Sequence, residues 1–149
     1  MFLSIENSTD YLTAQASSEQ RAVDELLLRC NAFLRQRGAY DVLTAAVVAR
    51  ELLVNAIKHG NHNIQDRRVT LQIRDRGNSV FTIRVEDEGE GFDYNSLDMT
   101  LPDDPRLIKR RGMLLVNALS EKIEFNEKGN CVTAYLNLCP DTARKTAVG

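Results

Sequence analysis

Apolar residues recur every three or four positions in two stretches of the first half of the chain. Val23, Leu26, Leu27, Cys30, Phe33 and Leu34 form one such stripe. It predicts an amphipathic helix from Ser17 or Ser18 to about Arg35. Either serine suits the N-cap, with Glu19 near the first turn, and the polar run Arg35-Gln36-Arg37-Gly38 ends the helix. Val42, Ala46, Ala49, Leu53, Ala56 and Ile57 form the second stripe, on a helix from Asp41 to His59. Asp41 is its predicted N-cap. Gly60 is its predicted stop, because glycine enters the left-handed conformation without steric cost.

Elsewhere the apolar period is two. Arg68 to Arg74 and Val80 to Glu86 alternate cleanly on either side of the turn residues Asp75-Arg76-Gly77-Asn78, which predicts an antiparallel hairpin. Phe2 to Glu6 and Tyr11 to Gln15 are shorter strand candidates. A short helix is predicted from Arg111 to Leu119. A last hairpin pairs Lys122–Asn126 with Asn130–Leu138 across Glu127-Lys128-Gly129. Between the hairpins, Phe92 to Lys109 is poor in apolar residues and contains Asp and Pro, as long functional or disordered loops do. Strands of alternating polarity have one solvated face, so the helices must cover the other. The expected fold class is α+β, a two-layer sandwich with a mixed, mainly antiparallel sheet. Residues 1–140 are expected to form one domain and 141–149 a flexible tail.

Composition narrows the picture. A chain of 149 residues with net charge −2 is large enough for one core, and its charge gives no reason to expect nucleic acid or an anionic membrane as a general partner. No apolar run approaches transmembrane length, and the N-terminus lacks the pattern of a signal peptide. Cys30, Cys131 and Cys139 are odd in number and widely spaced, which argues for reduced thiols with structural roles and a cytoplasmic location. With no cysteine near His59 or His62, a zinc site is not expected.

Three segments carry candidate chemistry. Glu51 and Asn55 are four apart on one helix face, and Lys58 with His59 extends that stripe. A carboxylate, an amide oxygen and a cation suit a hard metal ion beside phosphates; a solvated helix face would use the same residues. In the second segment, Phe81, Ile83 and Val85 share one strand face and Asp87 is next in the same register. Its carboxylate then points at the core layer, where it needs a donor such as an exocyclic amine. A tight turn in which Asp87 bonds its own backbone is the alternative. Gly89 and Gly91 follow and permit close approach of the backbone. In the third, the basic run Arg106 to Arg111 passes through Gly112 and Met113 into a helix, an arrangement suited either to anions or to a solvated basic loop.

Taken together the three segments resemble the GHKL ATPase superfamily. Glu51-x-x-x-Asn55-Ala56 is similar to its N box and Asp87-x-Gly89-x-Gly91-Phe92 to its first glycine box. Arg111-Gly112-Met113 stands where its second glycine box should be. Within the superfamily, the Asn55-Ala-x-Lys-His-Gly-Asn61 run looks like that of the small anti-sigma factor serine kinases. Two positions depart from the pattern: Arg110 replaces a glycine, and Asn130 stands where a threonine is usual.

The resemblance implies a Bergerat-type fold that binds ATP with Mg²⁺. Asn55 would supply an oxygen to the metal and Glu51 would be the general base. Asp87 would take the adenine amine, and Gly89 and Gly91 would let the backbone close over the nucleotide. Lys58, Arg111, Gly112 and Met113 would face the phosphates, and Asp93 to Arg111 would be a lid. The implied activity is that of an anti-sigma factor that phosphorylates a STAS-domain anti-anti-sigma factor. The rivals are a non-catalytic ATP-binding module that sequesters a partner, and the catalytic domain of a histidine kinase. The last is disfavoured because no phospho-acceptor helices precede the domain. A homodimer stays open.

Overall fold

A computed structural model describes residues 1–91 and 111–140, apart from the side chain of Arg111. The expected lid and tail lie outside those residues. Among the described residues six strands form one sheet: β1 (Leu3–Asn7), β2 (Tyr11–Ser17), β3 (Arg68–Asp75), β4 (Val80–Asp87), β5 (Lys122–Phe125) and β6 (Cys131–Asn137). Their spatial order is β1-β2-β3-β4-β6-β5, and every pairing is antiparallel, so the sheet is not mixed. Helices α1 (Gln20–Gln36), α2 (Val42–Asn55) and α3 (Arg111–Leu119) complete the two-layer α+β fold.

The register lines up the inner face of the sheet in rows. Leu12, Ile73, Ile83 and Ala134 lie opposite one another, as do Ala14, Leu71, Val85 and Val132. The next row runs Ala16, Val69, Asp87. A row that is apolar on two strands therefore ends in a carboxylate on the third, as the strand alternation predicts.

The helices follow their stripes with local changes. α1 buries Val23, Leu26, Cys30, Phe33 and Leu34 as expected. Its N-cap, however, is Glu19 without a side-chain bond, because Ser17 Oγ donates to Glu19 and Ser18 Oγ to the Arg67 carbonyl. Asp41 does cap α2, accepting from Thr44 N at 3.1 Å. The buried row on α2 runs through Ala45, Val48, Ala49, Leu52 and Leu53, with Ala46 only partly covered.

The end of α2 differs most from expectation. The regular helix stops at Asn55, and Ala56–Gly60 form a π turn closed by Asn61 N donating to Ala56 O at 2.8 Å. Gly60 has no positive φ, so the left-handed stop is not used. Asn61 is fully buried. Its Nδ2 donates to Ser18 Oγ and to the Arg68 carbonyl, both at 2.9 Å, and its Oδ1 accepts from Glu88 N at 2.8 Å. One amide thus ties the π turn to the entry of α1, the start of β3 and the residue after Asp87.

Replacing Asn61 leaves several buried groups without partners, each costing about 1–3 kcal/mol. Asn61→Ala is expected to destabilise the fold by at least about 2 kcal/mol, measured as a shift in the urea unfolding midpoint at unchanged slope. A smaller loss would show that the amide is not the tie described here.

Candidate functional site

An open cleft lies between the end of α2, the C-terminal end of β4, the start of α3 and the β5–β6 hairpin. Its walls come from Leu52, Val85, Met113, Phe125 and Val132, and its polar groups include Asn55, Asp87 and Asn130. Val85, Val132 and Phe125 belong to one register row, so the alternating pattern of the strands builds one wall of the cleft.

Asp87 is held at the rim of the core by contacts that only glycines permit. Its Oδ1 accepts from Gly89 N at 2.8 Å. A Cβ on Gly60 would overlap the Asp87 carboxyl group, and one on Gly89 would overlap the Gly60 carbonyl oxygen. Gly60 is therefore required by close approach and not by its backbone angles. Both readings of Asp87 hold at once: it bonds its own backbone, and it lines the cleft. Burial raises its carboxyl above the ordinary value of 3.8, and Glu86 adds to the rise; the Gly89 amide, Lys128 and Arg67 oppose it.

Asn130, in the usual threonine position, donates from Nδ2 to the Asp87 carbonyl at 2.8 Å, and its own carbonyl accepts from Asp87 N at 2.9 Å. Asn126 Oδ1 in turn accepts from the amides of Gly129, Asn130 and Cys131. The hairpin turn is thereby fixed against the end of β4. Gly91, at φ 84°, packs so closely on the Lys128 carbonyl that a Cβ would overlap it. Cys131 lines the cleft instead of lying only in the core, and burial first of all pushes its thiol up, so it serves as a neutral wall.

The helix end of the site is formed by α2 and α3. Asn55 lines the cleft, and its Nδ2 is buried without a hydrogen-bond partner. Because the two ends of an amide are assigned by their partners, this buried group is one that a ligand could satisfy. One turn earlier, the Glu51 carboxylate lies against Gly112, close enough that a Cβ there would overlap Oε2. Met113, buried beside it, closes that end of the cleft.

Not every predicted residue comes together. Lys58 is exposed, and neither it nor Glu51, Gly89 or Gly112 is among the residues lining the cleft; a π turn follows Asn55 where the stripe predicted a regular helix. His59 does line it. Arg111 begins α3, but its side chain lies outside the description. Sequence reasoning missed the burial of Asn61 and the close approach that requires Gly60; their only signal was the Asn-rich stretch from Asn55 to Asn63, and nothing local says which asparagine is buried.

The residues present fit a magnesium nucleotide. An apolar slot with a carboxylate at its edge suits a flat heterocycle bearing an amine, and the Asn55 amide suits a hard cation. Among the described residues no group of three His, Cys, Asp or Glu side chains could hold a metal alone. A cation here would therefore rely largely on oxygens of the ligand and on water, as Mg²⁺ commonly does.

The raised carboxyl of Asp87 makes a prediction with a definite sign. Its contribution to stability is full below the ordinary pKa of 3.8 and is lost as pH rises through the raised folded value. At neutral pH the ionised carboxylate thus destabilises the ligand-free fold. Asp87→Asn keeps the acceptor for Gly89, so it is expected to raise Tm at pH 7 while weakening ADP binding by about 1.5–3 kcal/mol. Calorimetry of both quantities checks it; unchanged ADP affinity would remove Asp87 from ligand recognition.

A search of curated proteins returned no match. The model of the histidine kinase-like ATPase domain matches residues 16–136, which span the end of β2 through nearly all of β6 and contain every residue of the cleft. Among the described residues no helix is long and apolar enough to cross a membrane. The chain belongs to the histidine kinase-like ATPase family, whose domain is an ATP-binding one.

Proposed function

We propose that this ATP-binding domain is a protein serine/threonine kinase acting as an anti-sigma factor, and that its substrate is a seryl or threonyl hydroxyl on a STAS-domain anti-anti-sigma factor. The observation that carries the reading is the placing of Glu51: a carboxylate one helical turn from the cleft-lining Asn55, resting on the first turn of α3. A pure binding site has no use for a base there, whereas a kinase needs one within reach of the attacking hydroxyl.

Each residue then has a task. Asp87 and the apolar slot select the base of the nucleotide. Asn55 offers its amide to the magnesium of Mg-ATP, which supplies neutralisation of charge on the phosphates. Glu51 accepts the hydroxyl proton at a carboxylate oxygen. Met113 and the walls of the cleft keep water from the nucleotide. Phosphoryl transfer depends chiefly on positioning and charge, so this set suffices for a slow enzyme. The sigma factor would bind elsewhere on the surface, in a complex sensitive to the nucleotide.

One observation favours a second reading. Among the described residues no lysine or arginine lines the cleft, and a site with few cations suits a module that holds ATP only to order a partner surface. Single-turnover assays with Mg-ATP and STAS-domain proteins decide between the two. Wild-type protein is expected to phosphorylate one of them. Glu51→Ala is expected to bind nucleotide as before and to transfer phosphate roughly 10²-fold more slowly. Tight ATP binding without transfer to any such protein would replace the kinase with the binding module. Transfer by Glu51→Ala at the wild-type rate would remove the base from Glu51.

A further inference from the structure

Gly112 is the second residue of α3, and no ordinary backbone reason explains it. Its φ lies outside the left-handed region. Glycine is a poor helix former, because ordering it loses the most backbone entropy, and alanine would serve the helix better. The helix is nonetheless built with a bare Cα at this point. The three nearest atoms that a Cβ would meet there all belong to Glu51: Oε2 in overlap, Cδ at 3.2 Å and Cβ at 3.6 Å. A single side chain from another helix therefore occupies the space that any other residue at position 112 would fill. The amides of the first turn of α3 also carry the positive end of the helix dipole, which favours a carboxylate there.

We propose that Gly112 is a positioning residue for Glu51: its missing side chain is the seat on which the carboxylate stands, so that α3 fixes where the proposed base points. The inference rests on the kinase reading for its catalytic consequence and on geometry alone for the seat. It separates Gly112 from a role in nucleotide affinity, since an alanine retains the backbone amide. It also separates it from a role in stability. The atom that a new methyl meets is the far end of a flexible side chain, which can swing aside while both helices stay in place.

The test is Gly112→Ala, alone and combined with Glu51→Asp. Gly112→Ala is expected to fold with a Tm equal to or above that of wild type and to keep its KM for ATP. Its kcat is expected to fall by up to roughly 10²-fold, the scale of misplacing a reacting group by about 1 Å. The shorter Glu51→Asp side chain clears the added methyl, so the order of rates should invert. With Gly112 in place, wild type should outperform Glu51→Asp. In the Gly112→Ala background, the chain that also carries Glu51→Asp should equal or exceed the one that keeps Glu51. Crystal structures of wild type and Gly112→Ala provide a readout independent of activity, with the Glu51 carboxylate displaced and α3 unmoved. An unmoved carboxylate, or a displaced α3 with lowered Tm, would overturn the seat. A rise in KM at unchanged kcat would overturn the positioning role and return Gly112 to the phosphates. If the wild type transfers phosphate to nothing, the kinase reading and the catalytic half fall together, while the crystals still decide the seat.

Discussion

The site depends on one carboxylate placed where the sheet would otherwise continue its apolar row. Asp87 follows Ala16 and Val69 across the strands, at the inner face of the sheet. A charge in that layer is unfavourable unless donors meet it, and the surrounding structure is arranged to do so only in part. Gly89 gives one amide. Gly60 gives bare backbone, so that the π turn passes directly beneath the carboxyl group. Asp87 also lines the cleft, so a donor placed there would offset part of the cost of burying its charge.

Two fixed junctions hold this arrangement. The buried amide of Asn61 joins the π turn to the entry of α1, the start of β3 and the residue after Asp87, and the Asn126–Asn130 network locks the β5–β6 turn to the backbone of Asp87. Both junctions use asparagine side chains in place of backbone ladders. An amide offers donors and acceptors together, so one side chain can satisfy several broken backbone ends. Beside the opposite end, next to the lining residues Asn55 and Met113, space replaces hydrogen bonds, with Glu51 lying in the gap left by Gly112. The site therefore has an apolar slot closed by strands and a polar end closed by two helices, and each is positioned by different forces.

Much of this was legible from the chain. The helical stripe of α1, the alternation of β3 and β4, the cap at Asp41 and the inward register of Asp87 follow from local periodicity and local hydrogen bonding, which a sequence carries in full. So does the placing of Glu51 and Asn55 on one face, whereas the family was visible only through the resemblance of three segments to its motifs. Other features were not legible, and each has a long-range cause. The sheet proves wholly antiparallel because β6 enters between β4 and β5, a pairing that no local pattern encodes. The regular helix stops at Asn55 because Asn61 N bonds back to Ala56 O in a π turn, where the stripe predicted a continuous helix to His59. Gly60 read as a helix stop because its neighbours in sequence said nothing of Asp87, far along the chain, whose carboxyl group it underlies. By itself the sequence determined the elements, their buried faces and the kinds of chemistry on offer. Which asparagine is buried, which glycine is needed for close approach and which charged groups meet were decided only when distant segments packed, because those are properties of contacts between elements and not of any one of them.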